Sequence, residues 1–258
     1  MISTIAISES SSAEAARRLA QELRLPLCAD DCAGFRFVLR YEDDHLELID
    51  ATQQTGGPLW VDFVGGRAGH RRQFGGGRGQ PLARAVGLKG GANPTVMDAT
   101  AGLGRDGFVL AGLGARVTLL ERSPIVAALL ADGLARAARA PEIGPLIADH
   151  LRLIATDGRE WLQHCPPDAR PEVVYLDPMF PGRSKSALVK KEMRFLQELV
   201  GKDDDAPALL AAALSCATKR VVVKRPASAP PLEGPKPAGA VASENTRYDI
   251  YSTVTVDG

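Results

Sequence analysis

The chain has 258 residues, 45% of them hydrophobic and 24% charged, with 31 Lys and Arg against 31 Asp and Glu. That composition can build a core of ordinary size and excludes a wholly disordered chain, and the length allows one large domain or a main domain with a smaller companion. No run approaches the roughly 18 apolar residues of a membrane span, and Met1–Ser12 lacks the basic start and apolar run of a secretory signal, so the cytoplasm is the expected location.

The zero net charge is a sum of opposed local fields. Residues 1–50 carry ten acids and five bases, whereas Phe63 to Met97 holds six bases and no acid. A second basic cluster, Arg183, Lys185, Lys190, Lys191 and Arg194, has only Glu192 against it. The four cysteines are too scattered for a disulfide scaffold, and Cys28 and Cys32 have no second pair with which to close a zinc site, so reduced thiols are expected.

In chain order, Ala13–Leu23 has helical spacing, and Phe35–Tyr41 with His45–Asp50 suits a hairpin around Glu42, Asp43 and Asp44. Trp60–Val64 reads as a short strand, and Gly65–Gly79, with seven glycines among arginines, as a loop. From Thr95 onward apolar strands alternate with Ala/Leu-rich helices. The strands are Thr95–Asp98, Arg116–Glu121, Leu151–Thr156, Val173–Asp177 and Arg220–Lys224. The helices are Gly107–Leu113, Pro124–Ala138, Gly158–His164, about Ser186–Val200 and Ala206–Ala217. Continuous apolar strands linked by helices indicate a parallel sheet covered on both faces. Pro226–Pro237 is a proline-rich loop, and Arg247–Val256 is expected to add an edge strand, after a short strand near Gly239–Ser243.

Two turns carry chemistry. The first follows Thr95–Asp98 and contains G-x-G-x-x-G at Gly102, Gly104 and Gly107, with Glu121 at the end of the next strand to hold ribose hydroxyls. Asp98 and Asp106 flank this turn with negative charge, which repels a pyrophosphate and suits the ammonium and sulfonium of S-adenosylmethionine (SAM). At the third strand end Asp157 can accept from an adenine amine, with the Gly158 N–H beside it, or cap the following helix.

The second turn, at the fourth strand end, runs Asp177, Pro178, Met179, Phe180, Pro181. It resembles the Asp-Pro-Pro-aromatic motif of methyltransferases acting on exocyclic amines of nucleobases, with Met179 in place of the second proline. Asp177 and the Pro178 carbonyl can accept from the amine and aim its lone pair, and Phe180 can stack on the base. Arg183, Lys185, Lys190 and Lys191 follow, suited to RNA phosphates or to a solvated helical face; Arg71, Arg72 and Arg78 in the glycine-rich loop are further candidates for RNA, and His70, Arg71 and Arg72 with Phe74 could instead close over the cofactor. Lys224 and Arg225 end the fifth strand at the same edge, as substrate contacts or as caps. His45, His150 and His164 have no partners at metal spacing, so no metal is expected.

The runs Asp98–Asp106, Leu120–Arg122 with Ala127–Leu130, Val173–Pro181, Lys185–Arg194, Val221–Pro226, Val61–Gly66 and His70–Gly79 together resemble the bacterial small-subunit ribosomal RNA guanine-N2 methyltransferase family, RsmJ type. The resemblance implies a class I SAM-dependent methyltransferase fold, Rossmann-like with a seven-stranded, mostly parallel sheet and a small N-terminal α/β portion. It implies SAM as donor and one guanosine N2 near the 3′ end of 16S rRNA as acceptor, in naked RNA or the 30S subunit. It places cofactor contacts on Arg105, Asp106, Glu121, Arg122, Asp157, Gly158 and Asp177, beside Asp98, Gly102 and Gly104 of the first turn. The expected division is 1–90 for substrate recognition and 91–258 for the methyltransferase domain. The rivals are a methyltransferase on adenine N6 or a protein amide, a non-catalytic RNA-binding assembly factor, and a nicotinamide dehydrogenase. The sequence sets no oligomeric state.

Overall fold

A computed structural model describes residues 5–9, 12–29, 32, 34–52, 57–65, 77–178 and 205–253. The N-terminal part has β1 (Ile5–Ser8), α1 (Ala13–Leu23), β2 (Leu27–Cys28), β3 (Phe37–Glu42) and β4 (His45–Asp50). They form a four-stranded sheet in the order β2-β1-β3-β4, with β3 and β4 paired as the expected hairpin. Helix α1 buries Ala16, Leu19 and Ala20, the apolar positions that gave the segment its helical spacing.

The larger part contains α2 (Pro81–Val86), β5 (Thr95–Asp98), α3 (Arg105–Gly112), β6 (Arg116–Glu121), α4 (Pro124–Arg139), α5 (Gly144–His150), β7 (Leu151–Ala155) and α6 (Gly158–Gln163). It continues with β8 (Val173–Leu176), α7 (Ala206–Cys216), β9 (Arg220–Pro226), β10 (Gly239–Ala242) and β11 (Thr246–Ser252). The seven strands run β10-β11-β9-β8-β5-β6-β7, with β7, β6, β5, β8 and β9 parallel and β11 antiparallel to both its neighbours. The parallel strands are those expected from the alternation of strands and helices, and the seven-stranded, Rossmann-like arrangement is that implied by the resemblance. Strand β5 connects outward to β6 on one side while β8 lies on its other side, so the strand order reverses there and opens a crevice at the carboxyl edge.

One hydrophobic core joins the two sheets, running from Ile7, Phe37 and Leu48 to Leu129, Leu130 and Tyr175. The N-terminal sheet docks on α4, where Asp132 accepts from the Leu46 N–H (3.1 Å) and pairs with Arg136 (2.9 Å). Arg136 in turn donates to the Val61 carbonyl. Among the described residues no helix is long and apolar enough to cross a membrane.

Three expectations are corrected. Trp60–Val64 is not a strand: Leu59 makes a single bridge to Leu48, and the chain then turns on Asp62, which accepts from Val64 N–H and Gly65 N–H at 3.0 Å. Burial of Leu59, Val61 and Phe63, with Trp60 and Val64 exposed, produced a strand-like alternation from an irregular segment stapled to the core. The C-terminal strand β11 is internal, because it carries the buried Tyr248, Asp249 and Tyr251, and the short, largely exposed β10 takes the edge. Cys28 and Cys32 form a disulfide, since the turn after β2 brings their Cα atoms to 5.0 Å. Cys165 and Cys216 are free and buried. Burial first, then Cys165, pushes the Cys216 thiol up to about 12, so it stays protonated and unreactive. The predicted helix at Ser186–Val200 lies outside the described residues.

Candidate active site

The carboxyl edge of the seven-stranded sheet gathers Asp98 from β5, Glu121 from β6, Asp157 after β7, Asp177 after β8 and Lys224 from β9. The four acids lie at or just beyond strand ends and Lys224 lies near the end of β9's ladder, so their assembly follows from strand order and does not need loop geometry.

The glycine turn is held by its neighbours. Gly104 ends the turn at φ 71°, and a Cβ there would meet Leu130 Cδ1 at 2.7 Å and Phe63 Cζ at 3.2 Å. Phe63 stacks on Phe108 of α3 with ring centroids 4.6 Å apart, so the segment before the glycine-rich loop supports the turn from below. Glu121 accepts from Gly102 N–H (2.8 Å) and Ser123 N–H (2.7 Å), tying the end of β6 to the turn. A Cβ built on Gly102 itself meets nothing within 4 Å, so the backbone of the turn faces open space at this residue.

Thr100 links the two chemical turns. Its N–H donates to Asp98 Oδ1 (3.2 Å), and its hydroxyl accepts from Asp177 N–H (2.6 Å). The Asp106 carboxylate accepts from the Tyr175 hydroxyl (2.7 Å) and from Lys224 Nζ (2.7 Å), which also donates to Asp177 Oδ2 at 2.7 Å. Asp98 and Asp106 are buried, whereas the Asp177 side chain is 40% exposed and so open to an incoming molecule.

The electrostatics follow from burial. It pushes the Asp98 carboxyl well above the usual aspartate range; the Thr100 N–H pulls back, and repulsion from Asp106 and then Asp177 adds to the rise. Burial likewise raises the Tyr175 hydroxyl well above its usual value, with Asp106 and Asp177 adding to it, so Tyr175 remains a donor. Burial works against the Lys224 ammonium, but Asp177 first and then Asp106 outweigh it and raise Lys224 above the ordinary lysine value. Lys224 is therefore cationic at any working pH.

Two carboxylates, Asp106 and Asp177, around one ammonium leave excess negative potential, which fits a ligand with two cationic centres and one carboxylate and opposes a pyrophosphate. With Gly102 opening onto free space beside them, the donors and acceptors present fit SAM.

The profile of the SAM-dependent methyltransferase family matches residues 18–253. The ribosomal RNA small subunit methyltransferase J of Pseudomonas aeruginosa strain UCBPP-PA14 is 56% identical over 239 residues, spanning 93% of this chain and 90% of that protein. The protein of the same description from Thioalkalivibrio sulfidiphilus is 54% identical over 240 residues, 93% of each chain. The chain belongs to this family. A solved SAM-dependent methyltransferase from Neisseria gonorrhoeae superposes on this family member with a TM-score of 0.77 at 36% identity, over 98% of each chain. Its cofactor is SAM, and it is a methyltransferase.

In this methyltransferase J family member the remaining sequence candidates are placed as follows. Asp157 caps α6, accepting from Glu160 N–H at 3.0 Å, with Gly158 buried beside it. Arg105 opens α3, and Arg122 pairs with Asp205 at 3.5 Å. Pro178 is buried. Arg78 donates to the Ala92 carbonyl (3.2 Å) and to Asn93 Oδ1 (2.6 Å). Arg225 donates to the Pro230 carbonyl at 2.7 and 3.1 Å and so ties the proline-rich loop to β9. Phe180, Arg71, Arg72, Arg183, Lys185, Lys190 and Lys191 lie outside the described residues. Among the described residues no three His, Cys, Asp or Glu side chains gather at metal spacing.

Thr100 and Tyr175 were missed as site residues. Tyr175 carried a readable signal: a hydroxyl in a strand buried on both faces must find a partner.

Proposed function

We propose that the enzyme methylates the exocyclic N2 amine of one guanosine near the 3′ end of 16S rRNA, in the cytoplasm, with the 30S subunit or its RNA as substrate. The observation that carries this reading is the position of Asp177 and Pro178 just beyond β8, anchored by Thr100 to the glycine turn and by Lys224 to Asp106. Bound at the glycine turn, SAM supplies a methyl group on a sulfonium, an electrophile strong enough that positioning governs the rate. Asp98, Asp106 and the β6 end at Glu121 form the cofactor side of the crevice. Asp177 and the Pro178 carbonyl accept hydrogen bonds from the amine, drawing its lone pair out of conjugation with the ring. Asp177 then takes the proton released once the new N–C bond has formed. Residues 1–90 serve substrate recognition, and the basic residues 183–194 neutralise RNA phosphates.

The deciding measurement is mass spectrometry of nucleosides from 16S rRNA of cells lacking the gene, with and without complementation. Loss of one N2-methylguanosine, restored by the gene, is the expected result. An unchanged N2-methylguanosine content, with labelled methyl entering DNA or protein, overturns the reading.

A further inference from the structure

Lys224 belongs to neither chemical turn. It reaches the site from β9, where its cross-strand partner on β11 is Tyr248. Sinking an ammonium at a sheet edge costs free energy unless it is paired, and Lys224 is paired twice, to Asp106 and to Asp177 at 2.7 Å each. The two carboxylates differ in exposure: the Asp106 side chain is 9% exposed and that of Asp177 40%. Asp106 is fixed from below by the hydroxyl of the fully buried Tyr175, so the chain Tyr175, Asp106, Lys224, Asp177 runs from the core to the open side of the crevice. Among the described residues, the titratable groups facing this chain include Asp98 on β5 and Tyr248 on β11. The neighbouring Arg225 and Arg247 are engaged elsewhere, with the Pro230 carbonyl and Asp249.

We propose that Lys224 is a positioning residue for methyl transfer: by bridging Asp106 and Asp177 it aims the Asp177 carboxylate at the acceptor amine and holds it anionic among neighbouring acids. This rests on the assignment of Asp177 to the amine. Without the ammonium, Asp177 faces Asp98 and Asp106 uncompensated, binds a proton more readily and loses its fixed direction.

The test uses the full-length protein with Lys224→Met and Lys224→Arg. Carbon-13 NMR of the aspartate carboxyls in the unloaded protein, with Asp177→Asn to identify the Asp177 signal, reads the titration directly. Lys224→Met moves it to higher pH, and Lys224→Arg leaves it near the wild-type position. In single-turnover methyl transfer, Lys224→Met lowers the rate at saturating SAM and RNA by about a hundredfold. It also shifts the acid limb of the rate profile upward, keeps SAM affinity by calorimetry within about threefold, and Lys224→Arg recovers most of the rate. If Lys224→Met does not fold, Lys224→Gln, which keeps a donor without the charge, answers the same question. An unmoved Asp177 titration overturns the inference, as does a lowered rate with an unshifted acid limb. A wild-type enzyme inactive on both 16S RNA and 30S subunits refutes the proposed acceptor, while the NMR titration still decides the role of Lys224.

Discussion

Helix α1 of the N-terminal part and the carboxyl edge of the large sheet use the same residue types with opposite consequences. In the first, Arg17 meets Glu9 at 3.1 Å with the arginine 61% exposed, and Arg18 pairs with Glu14 in open solvent. Water screens such pairs, and each contributes at most about 1 kcal/mol. At the carboxyl edge Asp98, Asp106, Asp177 and Lys224 converge where burial removes that screening, so each charge resets the protonation of the others. A balanced total charge therefore conceals exposed pairs at α1, where charge is decoration, and a partly buried cluster where it organises chemistry.

The largest expected effect comes from removing the carboxylate that faces outward. Asp177→Ala should lower the single-turnover rate by about two to three orders of magnitude, as loss of a group aimed at the reacting atoms does elsewhere. It should leave the thermal melt close to wild type, because the side chain is partly exposed. Full activity in this variant would detach the carboxyl edge from the chemistry.

Whether burial alone makes the difference can be asked away from the reaction. Arg247 holds the buried Asp249 on β11 through two hydrogen bonds of 2.7 and 3.0 Å. Arg247→Met removes both of these bonds, with the Arg225 guanidinium still near the carboxylate, and should cost about 1.5–3 kcal/mol in urea unfolding. A loss no larger than that of a surface pair would refute the role given to burial.

Asp98 sharpens the contrast through pH. Its folded-state carboxyl is raised above the unfolded value, so the stability it contributes is present in acid and is lost as pH rises from about 4 through the raised value. Relative to wild type, Asp98→Asn should therefore gain stability with rising pH over that range. Unfolding curves measured at a series of pH values check this, and a difference independent of pH would contradict it. The smallest effect is expected for Arg18→Ala, which should change stability by no more than about 0.5 kcal/mol and lose even that in high salt.

Much of this site was legible because its parts are local. The glycine turn, Glu121, Asp157 and Asp177 each announce themselves by residue type at the end of an apolar run, and the parallel sheet brings strand ends together. Trp60–Val64 misled because inward and outward alternation also arises in an irregular segment pinned by Asp62. The position of β11 was misread because alternation reports one covered face and is silent about how many neighbours a strand has. Cys28 and Cys32 pair through a turn whose conformation no spacing rule specifies.

By itself the sequence determined the succession of strands and helices, since apolar periodicity and glycine conformations act over a few residues, and it determined which carboxylates stand at strand ends. Only the tertiary structure decided that Tyr175, Asp106, Lys224 and Asp177 form one connected chain. Its links are 69, 118 and 47 residues apart, and they close only because β8 and β9 lie side by side with α3 above them. Contacts at such separation depend on strand order and on the burial that strengthens charge, and neither is carried by any local stretch of residues.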